Sequence, residues 1–209
     1  MRTKILLTAA AALVAGLVSS NAQVYSANIV GYVTVVSPGG SAYSLLANPL
    51  DNGSNTLASL VTEPTGSHAL VWTGSGFTSC TKTAGSFSPN PTIAPGAGFF
   101  IQPLGANPVT NTFVGNVICP PSGSVTNNVA GGSAYTLVGS PVPFSDTLGG
   151  TNMNLHIPTG SHALVWTGSG YQSCTKTASS FSPNPAVTPG EGFFVQPLGA
   201  TYPWVQSLP

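Results

Sequence analysis

The chain has 209 residues, 42% of them hydrophobic and only 4% charged, with four Lys or Arg against four Asp or Glu. An ordinary soluble domain carries about 25% charged residues, so polarity here comes from Ser, Thr, Asn and Gly. So few cations exclude a nucleic-acid partner and argue against anionic lipid, because both need several Lys or Arg groups to displace phosphate counterions.

In chain order, residues 1–22 read as a secretory signal peptide. Arg2 and Lys4 open it, residues 5–18 are a short apolar run, and Ser20-Asn21-Ala22 offers small residues before a cleavage point. The expected location is therefore exported: extracellular, cell surface or periplasm. The run is too short for a transmembrane helix, and no other stretch approaches the roughly 20 apolar residues that a span needs, so the mature chain is expected to lack one. Beyond the leader the cations are Lys82 and Lys176, against Asp51, Glu63, Asp146 and Glu191.

Residues 24–37 (VYSANIVGYVTVVS) predict one or two strands, stopped by Pro38-Gly39-Gly40, and residues 42–47 predict another. Leu57, Leu60 and Val61 behind Ser54 and Asn55 give the one helix candidate, one or two turns long. Residues 68–72 and 77–83 flank Thr73-Gly74-Ser75-Gly76 as a β-hairpin, residues 87–95 read as a loop, and 98–102 and 112–118 as strands. The same order returns at 124–129, 134–138, the hairpin around Thr167-Gly168-Ser169-Gly170, 192–196 and 203–208.

The return is literal. Residues 64–106 and 158–200 match at nearly every position with a constant offset of 94, and the changes keep character, as in Phe77/Tyr171 and Ile101/Val195. A period of this size is read as two tandem, internally duplicated units, assigned to residues 23–118 and 119–209. Short strands bounded by Gly, Pro and Asn make each an antiparallel β-sandwich or open barrel.

AYSLLANPL (42–50), AYTLVGSPV (134–142), ALVWTGSGF and ALVWTGSGY, PGAGFFIQ and PGEGFFVQ, and the start VYSANIVGYV resemble exported β-rich repeat proteins of environmental bacteria of the Verrucomicrobia type. The order of strand, Trp hairpin and Gly-Phe-Phe strand is also similar to secreted β-domains of the Bacteroidetes type. The resemblance covers almost the whole mature chain and implies the fold and export, but no activity; residues 204–209 do not show the C-terminal sorting segment that it would include.

The repeat supplies a test for chemistry, since a site used by both units is retained in both. None of the four acids has an acidic counterpart, so a carboxylate pair of the kind that glycoside hydrolysis requires is not expected. His68/His162 and Cys80/Cys174 do recur. If the hairpin loop is even-numbered, Trp72 pairs with Phe77, His68 with Thr81 and Ala69 with Cys80, which puts Cys80 on the opposite face from His68. A three-residue loop would bring them to one face. No short metal signature includes these residues. No catalytic, metal or cofactor residues are assigned.

Cys80 and Cys174 are expected either to pack as small apolar residues within their own units or to meet in a disulfide across a pseudo-twofold axis, with Cys119 as the odd thiol. The aromatics carry the functional expectation: Trp72 with Phe77, and Trp166 with Tyr171, recur at the hairpin tips, where exposed rings would form a platform for sugar rings. Core or inter-unit packing is the competing use of the same rings. The sequence therefore points to an exported, noncatalytic structural or surface β-repeat protein, with self-association or polysaccharide as its partner. A lectin-like module using Trp72, Phe77, Trp166 and Tyr171 is the alternative, and a secreted hydrolase comes behind both.

Overall fold

The computed structural model describes residues 30–118 and 123–207. The signal-peptide assignment, residues 23–29 and Cys119 lie outside these. The described residues are all-β apart from one turn of helix, arranged in antiparallel sheets with no closed barrel among them. The architecture is sandwich-like.

In the first half, β1 (Val30–Ser37) pairs along its whole length with β7 (Val109–Asn116) as a two-stranded ribbon. Between them in sequence come β2 (Ser44–Ala47), α1 (Leu57–Leu60), β3 (His68–Trp72), β4 (Phe77–Lys82), β5 (Phe87–Ser88) and β6 (Gly98–Gln102). These strands form a five-stranded sheet in the order β2-β6-β3-β4-β5. The second half holds β8 (Ser124–Val129), β9 (Thr136–Gly139), β10 (Asp146–Thr147), β11 (His162–Trp166), β12 (Tyr171–Lys176), β13 (Phe181–Ser182), β14 (Ala186–Val187), β15 (Gly192–Gln196) and β16 (Tyr202–Ser207). Its ribbon is β8-β16 and its sheet runs β9-β15-β11-β12-β13, strand for strand the order of the first.

One segment differs from expectation, and the expected short helix differs only in its cap. The stretch expected as a loop after Phe87 contains β5 and a bridge of Thr92 to Thr56, and its counterpart contains β13 and β14. Such two-residue strands lack the alternation that marks a strand, because tertiary pairing and not local pattern forms them. The helix is a single turn, and its Thr56 side chain makes no capping bond. Its first amides are met from a distance instead: Leu57 N donates to the Pro91 carbonyl and Ala58 N to Asn90 Oδ1. In the second half Leu148 N and Gly149 N use Pro185 and Asn184 in the same way, without a helix.

Each ribbon covers one face of its own sheet. In the first half Phe113 and Val117 close over Leu46, Ala69, Phe99 and Ile101; in the second, Val129 and Trp204 close over Val138, Ala163, Phe193 and Val195. The other face of each sheet is also apolar. Leu45 and Phe100 meet Leu137 and Phe194 in a third cluster between the halves. Phe99 and Phe100 are thus both buried, on opposite faces, as the alternation of a strand requires. A sheet covered on both faces reads as a continuous apolar run, which is why Gly98-Phe99-Phe100-Ile101 shows no polar partner face.

The halves also share backbone bonds. Ala47 N donates to Gly190 O at 2.9 Å, and Gly139 N to Gly96 O at 3.0 Å. Leu46 bridges to Glu191 and Val138 to Ala97. The Pro-Gly-x-Gly turn of each half therefore lies against the edge strand of the other, satisfying an edge that would otherwise be open to pairing. This approach explains the second glycine of the motif. A Cβ on Gly192 would stand 2.7 Å from the Leu46 carbonyl oxygen, and one on Gly98 would stand 2.7 Å from Leu137 Cγ.

Candidate functional site

The hairpin register is the even-numbered one. Trp72 pairs with Phe77, Ala69 with Cys80 and His68 with Thr81, and the second half repeats this at Trp166/Tyr171, Ala163/Cys174 and His162/Thr175. Thr73 N and its hydroxyl both donate to Gly76 O, closing the loop. Each indole packs edge-on against its cross-strand ring, with centroids 4.9 Å apart in one hairpin and 5.0 Å in the other.

This register aims both indoles at the opposite half. Trp72 Nε1 donates to the Tyr135 carbonyl at 2.9 Å, and Trp166 Nε1 to the Tyr43 carbonyl at 2.9 Å. Trp72 also meets the Phe194 ring at 5.3 Å and Trp166 the Phe100 ring at 5.4 Å, both edge to face. Phe77 and Tyr171 stand at the middle of the junction, each within 6.5 Å of both Phe100 and Phe194. All four aromatics read from the sequence are therefore brought into one cluster.

They do not form a flat platform. The indoles are partly buried and their N–H groups are engaged across the junction, while Phe77 and Tyr171 remain 43% and 45% exposed. What is open is a hollow of about 180 Å³ lined by Tyr43, Leu70, Phe77, Phe100, Trp166 and Tyr171. It offers ring surface and almost no polar group. Partial burial raises the Tyr171 phenol above its ordinary value, so the ring carries no charge near neutral pH.

The His and Cys pair is not a dyad. His68 Nδ1 lies 3.3 Å from Thr81 Oγ1 at the surface, and His162 matches it against Thr175. Cys80 and Cys174 are free, fully buried thiols in separate cores, so of the two arrangements expected for them the disulfide across the axis is not the one adopted. Burial pushes both thiols up, which removes the thiolate that nucleophilic chemistry uses.

The acids sit apart. Asp51 accepts from Gly53 N and Asn55 Nδ2, bonds that hold its carboxyl below the usual value, the Asn55 bond most of all. Asp146 accepts from the amides of Thr147 and Asn152, and Glu191 Oε2 from Thr188 N. These three shape loops. Among the described residues no three His, Cys, Asp or Glu side chains are grouped to hold a metal.

Two arrangements were not read from the sequence. The first is a polar row across β4, β3 and β6, in which Thr81, His68 and Gln102 stand in register and Gln102 Nε2 donates to the Ser41 carbonyl at 2.7 Å. A hollow of about 220 Å³ opens beside it, and Gln196 and Ser133 repeat the bond. Its signal was the recurrence of Ser41/Ser133 and Gln102/Gln196 outside any known motif.

The second lies in the first core. Glu63 is only 6% exposed, accepts from Asn111 Nδ2 at 2.7 Å through Oε1, and leaves Oε2 buried without a partner. The hydroxyl of Ser37, fully buried on the same inward face of the ribbon, is also unpartnered. The corresponding positions of the second half are Val129, Ile157 and Trp204, all apolar and buried. Burial raises the Glu63 carboxyl above its ordinary 4.5, with Asn111 and then Lys82 pulling it back.

Comparison of the chain with protein-family models, with curated proteins and with solved structures finds no match.

Two outcomes follow. Replacing Trp72 or Trp166 by Ala should cost about 3 kcal/mol in urea unfolding, and by Phe, which strands only a carbonyl, about 1 kcal/mol. Alanine variants within about 0.5 kcal/mol of the parent would refute a structural role for the indoles across the junction. For Glu63 the folded state holds the proton more tightly than the unfolded chain does. Its stabilising contribution is therefore present below pH 4.5 and lost as pH rises through the folded value. Glu63→Gln should gain about 1 kcal/mol at pH 7, a difference that closes on acidification; a Gln variant less stable at pH 7 would contradict this.

Proposed function

We propose that the chain is an exported, noncatalytic β protein of the cell surface or extracellular space that works by associating through its surface, with a second copy of itself as the first partner. The observation that carries this reading is the outer face of the β1-β7 ribbon. Val30, Tyr32, Thr34 and Val36 on one strand, and Thr110, Thr112, Val114 and Asn116 on the other, form that face in register. Tyr32 is 78% exposed and Val30 68%, and no charge interrupts the eight side chains.

Exposed apolar side chains gathered on one face, here Val30, Tyr32, Val36 and Val114, mark interaction sites. The matching face of β8-β16 is more polar, with Ser124, Asn128 and Ser207 where the first half has Tyr32, Val36 and Val114, although Pro203 and Val205 stand where it has Thr110 and Thr112. The association is thus assigned to one end of the molecule. Eight side chains fall short of the roughly 20 to 30 residues per side in a stable interface, so each contact is weak and assembly depends on concentration. A near-neutral chain offers little charge repulsion against it.

Polysaccharide binding is a second reading, favoured by the open rings of Phe77 and Tyr171 at the junction. The engagement of both indole N–H groups within the fold counts against it, because sugar sites combine rings with free polar groups.

Sedimentation of residues 23–209 should show a weight-average mass that rises with concentration. The double change Tyr32→Ser, Val36→Asn, which installs the residues of the second half, should return the protein to monomer with its stability kept. A parent protein that stays monomeric at high concentration would sink the association reading.

A further inference from the structure

A cleft of about 300 Å³ opens between the halves on one side of the junction, next to the aromatic hollow and sharing Tyr43 and Trp166 with it. Its walls come from Pro38 and Tyr43 of the first half and from Trp166, Val187 and Glu191 of the second. The volume is at the lower end of small-ligand sites. We propose that this cleft binds a small organic ammonium ion, with Tyr43 and Trp166 supplying ring surface and Glu191 the counter-charge.

The lining contains one ionisable acid and no Lys or Arg. Lys82 and Lys176 are held elsewhere, each Nζ over a phenyl ring of its own half, 5.2 Å from Phe87 and 5.3 Å from Phe181. The field in the cleft therefore favours cations and opposes anions. A hard metal ion needs six or more oxygen ligands or a retained water shell, which one carboxylate on an aromatic wall does not supply. A weakly hydrated ammonium takes both parts of the site, the ring faces and the carboxylate. Glu191 Oε2 is occupied by Thr188 N, which fixes the side chain, and Oε1 remains to accept.

The repeat isolates the acid. At the equivalent turn Ala97 stands where Glu191 stands here, and an amide replaces an aliphatic wall, Asn127 Nδ2 donating to Gly96 O at 3.0 Å where Val35 packs on Gly190. The fold accommodates Ala at the equivalent position, and Glu191→Gln, which keeps an acceptor for Thr188 N, stands beside Glu191→Ala to separate charge from loop shape.

The test is an NMR titration of the mature chain with choline, and with its neutral carbon isostere in which a tert-butyl group replaces trimethylammonium. Choline should shift the Trp166 indole N–H and the amides of Gly190 to Gly192, leaving the Trp72 indole N–H in place. The isostere should bind at least about fivefold more weakly, and both Glu191 variants should weaken choline by a similar factor. Equal binding of choline and isostere, choline binding unchanged in either variant, or no shift at these signals would each overturn the proposal.

Discussion

Everything in this structure depends on the reciprocal junction between the halves. Each sheet has one face closed by its own ribbon and a second apolar face that its own half leaves open; Phe100 and Leu45 of one sheet require Phe194 and Leu137 of the other. Two indole N–H groups then bond carbonyls across the gap, and two amides of the edge strands do the same. A half alone would expose that face and an unpaired strand edge, the combination that leads to aggregation. The junction is therefore part of the fold, as a core is, and not a contact added to two finished domains.

The halves share this frame and differ in what fills it. On the inward face of the first ribbon lie Ser37 and Asn111, the latter bonded to the buried acid Glu63, with Phe113 further along. The second ribbon reverses the order: Trp204 takes the place of Asn111 and bonds Met153 O through its indole, and Gln206 takes the place of Phe113 and bonds Ser140. Polar and aromatic residues have exchanged places. Glu63 Oε2 and Ser37 Oγ are left unpartnered. They mark the first half as the one that holds a polar cost, where burial of a charge must be met by protonation or by added hydrogen bonds.

Much of this was legible in the sequence. The repeat at an offset of 94 announced two like sheets, and the assumption of an even loop placed His68 against Thr81 and Cys80 against Ala69, as found. It failed where local pattern carries no information. The bridges of Thr92 and of Ala186–Val187 are made by tertiary pairing, and the chain gives no sign of them. The direction of Trp72 and Trp166 was not readable either, because a strand side chain that leaves its own core has the same alternation whether it meets solvent or another sheet. Nor did the sequence reveal the cleft, which draws residues from Val35 to Gly192.

If the junction is a shared core, the two halves must unfold together. Differential scanning calorimetry of residues 23–209 tests this most directly, by comparing the calorimetric enthalpy with the van't Hoff enthalpy of the transition. A single transition with the two enthalpies equal is the expected result. Two resolved transitions, or a calorimetric enthalpy about twice the van't Hoff value, would show halves that fold independently and would contradict it.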